Sequence, residues 1–170
     1  MPSREPIVSS AHLMSERGGE LSQFEYALII ASHAFQRWMV HCAAAAGVPD
    51  LSPLDVLVLH HVNHRGREKT LAGICLLLNI EDTHLVNYAL KKLRRLELVE
   101  GGRRGKEAAY SITEAGRQVC ERYGAIRETC LVEALEALGG ARSEDLQRIA
   151  TQLRALSGLY DQAARSATSL

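Results

Sequence analysis

Between residues 81 and 113 one periodicity gives way to another within a few positions. Val86, Ala89, Leu90, Leu93 and Leu96 recur at three- and four-residue intervals, which makes one apolar stripe on a helix. At about 100° per residue, His84, Tyr88, Lys91 and Arg95 project from the opposite side, with Asn87 and Lys92 flanking them. Asp82 has the short side-chain acceptor that suits an N-cap. The chain then reads Leu98-Val99-Glu100, a glycine- and cation-rich stretch from Gly101 to Lys106, and Ala108 to Ile112. That predicts a hairpin whose tip comprises Gly101, Gly102, Arg103, Arg104, Gly105 and Lys106. From Thr83 to Lys106 the cations Lys91, Lys92, Arg94, Arg95, Arg103, Arg104 and Lys106 outnumber Glu97 and Glu100. A polar helical ridge followed by a cationic hairpin suits duplex DNA: a probe for the major groove and an arm for phosphates.

The whole chain of 170 residues carries no net charge, so a polyanion-binding surface has to be local. Residues 107–146 hold eight acidic and four basic side chains, which offsets the cationic stretch and would hold that part away from DNA. With 46% hydrophobic residues and few aromatics, the chain can bury a core and suits a mostly helical fold. The four cysteines, Cys42, Cys75, Cys120 and Cys130, sit in apolar helical patterns without a CxxC pair. They are expected to be reduced and buried, in a cytoplasmic protein. No signal peptide is evident, and no apolar run approaches the roughly 18 residues of a membrane span, so no membrane association is expected.

Residues 1–20 mix Pro, Ser, Gly and charge without periodicity and are expected to be a flexible arm. Ser22 with Glu25 forms a capping-box pattern, followed by Phe24, Leu28, Ala31, Phe35, Trp38 and Cys42 at helical spacing. Gly47 and Pro49 end that helix. Ser52-Pro53-Leu54-Asp55 opens the next one, directing Leu54, Leu57, Val58 and Val62 inward as far as Gly66. Thr70 starts a short helix that breaks at Asn79. After the hairpin, Thr113 caps a long helix reaching Leu138 and Gly139-Gly140, and Ser143 starts the last one. Its Leu146, Ile149, Leu153, Leu156 and Tyr160 form a narrow seam, as do Val119, Tyr123, Ile126 and Cys130 before it. Narrow seams on long helices point to packing against a second copy, a homodimer.

This order of elements is the winged helix-turn-helix layout. Over residues 22–165 the chain resembles MarR-type transcriptional regulators, in LSPLDVLVLHHV, TLAGICLLLNIEDTHLVNYALKKL and LVEGGRRGKEAAYSITEAGRQV. The hydrophobic-Thr-x-x-Gly-Arg string at Ile112 to Arg117 is the most family-like. The expected fold is mainly α with a small β-hairpin wing. It divides into an arm (1–20), a dimerisation helix (21–47), a DNA-binding lobe (48–113) and carboxy-terminal dimerisation helices (114–170). The resemblance implies a homodimer on a pseudo-palindromic double-stranded operator, with recognition helix 82–96 in the major groove and wing 99–112 on the minor groove or backbone. It also implies a small-molecule effector pocket between the dimer helices and the DNA-binding lobe. Base contacts are expected from Thr83, His84, Asn87, Tyr88 and Lys91, and phosphate contacts from Lys92, Arg95, Arg103, Arg104 and Lys106. Arg94 reads as solvated flank.

The chain departs from the family at three places. Glu97 stands where the family often has glycine, so the recognition helix is expected to end without a left-handed residue. The turn from Ile80 to Val86 is one residue longer, and the wing lacks the usual Asp-x-Arg string.

His60 and His64, four apart on one helix with His61 between, have spacing compatible with a transition metal, as have His33 and His41 less closely. Solvated helix histidines are the simpler account, and no metal or other cofactor is expected. No phosphate loop, HExxH, GxSxG or carboxylate pair is present, so no enzymatic activity is expected. The function expected is that of a ligand-responsive homodimeric repressor. The alternatives are a winged-helix protein-association module without DNA binding, or a metal- or redox-sensing regulator.

Overall fold

A computed structural model of the chain describes residues 18–137 and 143–170, with Ile7, Val8 and His12; the side chains of Arg104 and Ser143 are not described. The expected arm therefore lies largely outside the described residues, as do Leu138, Gly139 and Gly140. Two compact units are present, Met1–Ile126 and Arg127–Leu170.

The first unit contains α1 (Gly19–Ala45), α2 (Pro53–Asn63), β1 (Lys69–Thr70), α3 (Leu71–Leu78), α4 (Thr83–Arg95), β2 (Val99–Arg104), β3 (Glu107–Ile112) and all but the last residue of α5 (Glu114–Arg127). The helix starts follow the short polar side chains. Ser52 and Asp55 form a reciprocal capping box on α2, with Asp55 N–H donating to Ser52 Oγ at 3.2 Å and Ser52 N–H to Asp55 Oδ2 at 2.8 Å. Thr70 Oγ1 accepts from Gly73 N–H at 3.2 Å, and Asp82 Oδ1 from His84 N–H at 2.9 Å. Helix α1 starts four residues earlier than the Ser22 pattern predicts, with Gly18 in place of Ser22 as its N-cap. Gly18 O already accepts from Ser22 N–H, so Ser22 lies inside the first turn rather than capping it.

The core gathers Val58, Leu59 and Val62 of α2, Ile74 and Cys75 of α3, and Val86, Leu90 and Leu93 of α4, all buried. Leu54 and Leu57, expected inside, are half-buried, because Val56 and Leu59 take the inward positions. From α1 only the carboxy-terminal part, Met39, Cys42 and Ala43, joins this core; Leu28, Ala31 and Phe35 are exposed. Leu96 also leaves the predicted stripe and is exposed, and Leu98 is buried in its place. The three-stranded antiparallel sheet has the order β1-β3-β2. Its edge strand β1 pairs Lys69 with Tyr110 and Thr70 with Ala109, a pairing that two residues of sequence do not announce.

In the second unit a π-helical segment, Glu128–Val132, precedes α6 (Glu133–Ala137) and α7 (Ser143–Ala167). The long helix expected from Thr113 onward is thus helical throughout Glu114–Ala137, with this π segment inside it. A π turn takes up an extra residue and shifts the side-chain stripe. Cys130, expected to be buried, lies within that segment and is exposed, whereas Cys42, Cys75 and Cys120 are buried.

Candidate nucleic-acid interface

Helix α4 is strongly amphipathic. Val86, Ala89, Leu90 and Leu93 bury one face, which leaves His84, Tyr88, Lys91 and Arg95 exposed as a ridge on the other. Tyr88 is 72% exposed, and Lys91 Nζ sits 5.8 Å from its ring centroid. A large ring held in water beside a cation offers both an apolar edge and positive charge. Thr83 is exposed and Asn87 half-buried. Leu85, which sequence reasoning left out of the interface, is exposed and shares a cleft with Tyr88, Lys91, Lys92, Arg95 and the start of α2. The longer turn thus resolves with Val86 inside and Leu85 outside.

Lys92, expected to contact a phosphate, is engaged within the chain. Its ammonium lies 2.8 Å from Asp55 Oδ2 and also donates to the Asp50 carbonyl. The same carboxylate oxygen accepts from Ser52 N–H, so one buried acid serves both the α2 cap and the ion pair. Lys92 therefore ties α4 to α2 instead of standing free in solvent.

The end of α4 contradicts the expectation of a helix closing without a left-handed residue. Glu97 adopts φ 57°, a region L-residues with a Cβ seldom enter. The reward is local. Leu98 N–H donates to Leu93 O and Glu97 N–H to Arg94 O, which closes the helix in the manner of a Schellman turn. The chain is then aimed directly into β2.

The wing spans the expected residues 99–112, but its strands run farther into the tip and its turn is tighter than predicted. Strand β2 runs through Gly101 and Gly102 to Arg104, which faces Glu107 of β3, so only Gly105 and Lys106 form the turn. Gly105 takes φ 63° there, as a two-residue hairpin loop favours. Alternation along β2 places Val99, Gly101 and Arg103 on one face. Gly101 faces the Arg94 guanidinium: a Cβ built at that glycine would lie 3.1 Å from Arg94 Cζ. Arg103 thus emerges on the side of the strand that meets α4. Arg103 and Lys106 are exposed; the side chain of Arg104 lies outside the described residues.

Arg94, read as solvated flank, is exposed, and its guanidinium lies against Gly101 of β2. A basic residue at the end of a helix has no local signal of its distant partner, and here the only clue was a glycine inside a strand. The histidines also resolve. The His60 ring meets Tyr123 edge-on at 4.4 Å, and desolvation holds its pKa below the usual histidine value. His61 is also lowered, by desolvation first and then by Lys69 and His64. Burial, with Glu121 adding to it, pushes the Cys120 thiol up to about 11, away from thiolate chemistry.

A family model described as "Winged helix DNA-binding domain" matches residues 51–116. No curated protein matches the chain. Among solved structures, the chain is similar to a MarR-family transcriptional regulator from Rhodococcus sp. RHA1 (13% identity, 84% of this chain and 96% of that one covered, TM-score 0.66). It is also similar to the transcriptional regulator BldR from Sulfolobus solfataricus (18% identity, 84% and 99% covered, TM-score 0.64). A third is BpsR from Bordetella bronchiseptica (19% identity, 75% and 98% covered, TM-score 0.52), described as having DNA binding regulated by 6-hydroxynicotinic acid. Residues 51–116 thus match a winged helix DNA-binding domain, and the chain shares its fold with these solved transcriptional regulators. Among the described residues no helix is long and apolar enough to cross a membrane.

Proposed function

We propose that the chain is a cytoplasmic, homodimeric repressor that reads a pseudo-palindromic duplex operator and leaves it when a small organic acid binds. The observation carrying this reading is the exposed ridge of His84, Tyr88, Lys91 and Arg95 on a helix whose neighbouring wing presents Arg103 on the side facing that helix. The ridge would enter the major groove, with Thr83 and Asn87 at its wing-side flank. Asn87 would pair with an adenine edge and Tyr88 would meet a thymine methyl or a phosphate. Arg95, Arg103, Arg104 and Lys106 would contact the backbone. Lys92, engaged with Asp55, is left out of that set.

Dimerisation is supported by apolar side chains exposed within each unit: Leu28 and Phe35 on α1, and Leu146, Ile149, Leu153 and Tyr160 on α7. A two-fold dimer would place half-sites about one helical turn, roughly 10 bp, apart. Ligand response is supported by a cleft of about 450 Å³ in the first unit, lined by His33, Gln36, Arg37, Val40, His41 and Pro53. Its volume fits a small ring, and its arginine and histidines suit a carboxylate.

The test is selection of bound sequences from a random duplex pool, followed by titration of the selected site against salt. A two-fold symmetric consensus and an affinity that falls steeply with salt are expected. Retention without sequence enrichment would remove the operator reading, and no retention at low salt would favour a module for protein association.

A further inference from the structure

A cleft of about 610 Å³ separates the carboxy-terminal part of α4 from β2, and its helical wall carries three cations, Lys91, Arg94 and Arg95. Glu97 and Glu100 also line it, near the start of the strand. None of the three cations lies within ion-pair distance of either carboxylate. The floor of the cleft at Gly101 is unusual for a strand interior, where glycine packs nothing and weakens pairing. Its backbone is not in the left-handed region, so conformation does not call for glycine there. Space does. A Cβ at Gly101 would lie 3.1 Å from Cζ, 3.2 Å from Nε and 3.5 Å from Nη1 of Arg94. The planar guanidinium therefore rests on the strand backbone, where a side chain would otherwise stand.

We propose that Arg94 and Gly101 together form a seat for one DNA phosphate between the recognition helix and the wing, with Gly101 holding open the space into which Arg94 extends. The inference rests on the DNA-binding reading above and adds a contact to it. A guanidinium with no ion-pair partner among the described residues can present its fork to a planar pair of phosphate oxygens, which a lysine on the same stem would not match. Arg103 stands two residues farther along the same face of β2, so the positive potential rises from Glu100 toward the turn. A backbone passing between helix and wing would meet Arg94 first and Arg103 next.

The experiment is a double-mutant cycle read as duplex affinity across about 50–200 mM salt, with the selected operator. Arg94→Ala is expected to weaken binding about 5–10-fold and to reduce the slope of log K against log salt by about one. Gly101→Val leaves every charge in place and puts a residue favourable for strands at a permissive backbone position. It is expected to reproduce the Arg94→Ala loss, and the double variant is expected to be no weaker than Arg94→Ala alone. Gly101→Ala, which adds only the Cβ, serves if the valine variant melts early. An unchanged slope in Arg94→Ala overturns the seat, as does a Gly101→Val loss that persists in full without Arg94. A wild-type chain that binds no duplex at low salt would instead remove the DNA reading itself, before any variant is compared.

Discussion

The hydroxyl of Thr113 donates to the carbonyl of Glu97 at 2.7 Å, and so fastens the start of α5 to the end of the recognition helix. The same oxygen accepts from Gly116 N–H at 3.0 Å, while Thr113 N–H donates to Leu98 O at 3.2 Å. One residue thus caps a helix and closes the wing at its base. This gives the Thr-x-x-Gly string a physical meaning: threonine supplies the junction, and glycine allows α5 to approach it.

Glu97 occupies the left-handed position at that junction, where a Cβ costs about 1 kcal/mol or more. Glu97→Gly is therefore expected to stabilise the chain by about 0.5–1 kcal/mol, after allowing for glycine's freedom in the unfolded state. Urea unfolding measures it, with Glu97→Ala as the control that removes the charge and keeps the Cβ. Equal gains in both variants would assign the effect to charge instead of backbone.

Gly116 has the opposite sensitivity. A Cβ there would fall 2.1 Å from the Leu98 carbonyl oxygen and 2.7 Å from Ile112 Cδ1. The first of these is backbone and cannot step aside without moving the wing base. Gly116→Ala is expected to cost about 2–3 kcal/mol, as overpacking does elsewhere. A melting temperature equal to wild type would mean that α5 sits farther from Leu98 than described.

Lys92→Met keeps the aliphatic stem and removes the ammonium that pairs with Asp55. A loss of about 1–2 kcal/mol in stability is expected, since Asp55 is then left buried with only the Ser52 N–H. DNA affinity should fall by a similar factor at every salt concentration, with the slope unaltered. A slope reduced by about one would restore Lys92 to the phosphate contacts.

His60 makes stability depend on pH. Its folded pKa lies below the ordinary value because burial against Tyr123 disfavours the imidazolium. Below about pH 6.5 the unfolded chain therefore binds more protons than the folded one. Stability contributed by the neutral ring is complete above that pH and falls as acid is added. His60→Phe should keep the ring packing and flatten part of the decline between pH 7.5 and 5.5, with His61 supplying some of what remains. Identical pH profiles in denaturant titrations would argue that His60 titrates freely.

Much of the chain could be read from local rules. The caps at Ser52, Thr70, Asp82 and Thr113 each satisfy a backbone donor two or three residues ahead, and the α4 stripe follows from helical pitch. Hydrogen bonds and periodicities of this range are written in neighbouring residues, so the order of helices and the hairpin followed from them. The sites of interaction did not. Lys92 finds Asp55 across 37 positions, Arg94 lies on a strand glycine, and Glu97 enters the left-handed region because the wing must be reached. In water a lysine or arginine at any of these places is equally content. Which of them is tied down was settled when distant segments were brought into contact and burial made an unpaired carboxylate, or an extra methyl group, expensive.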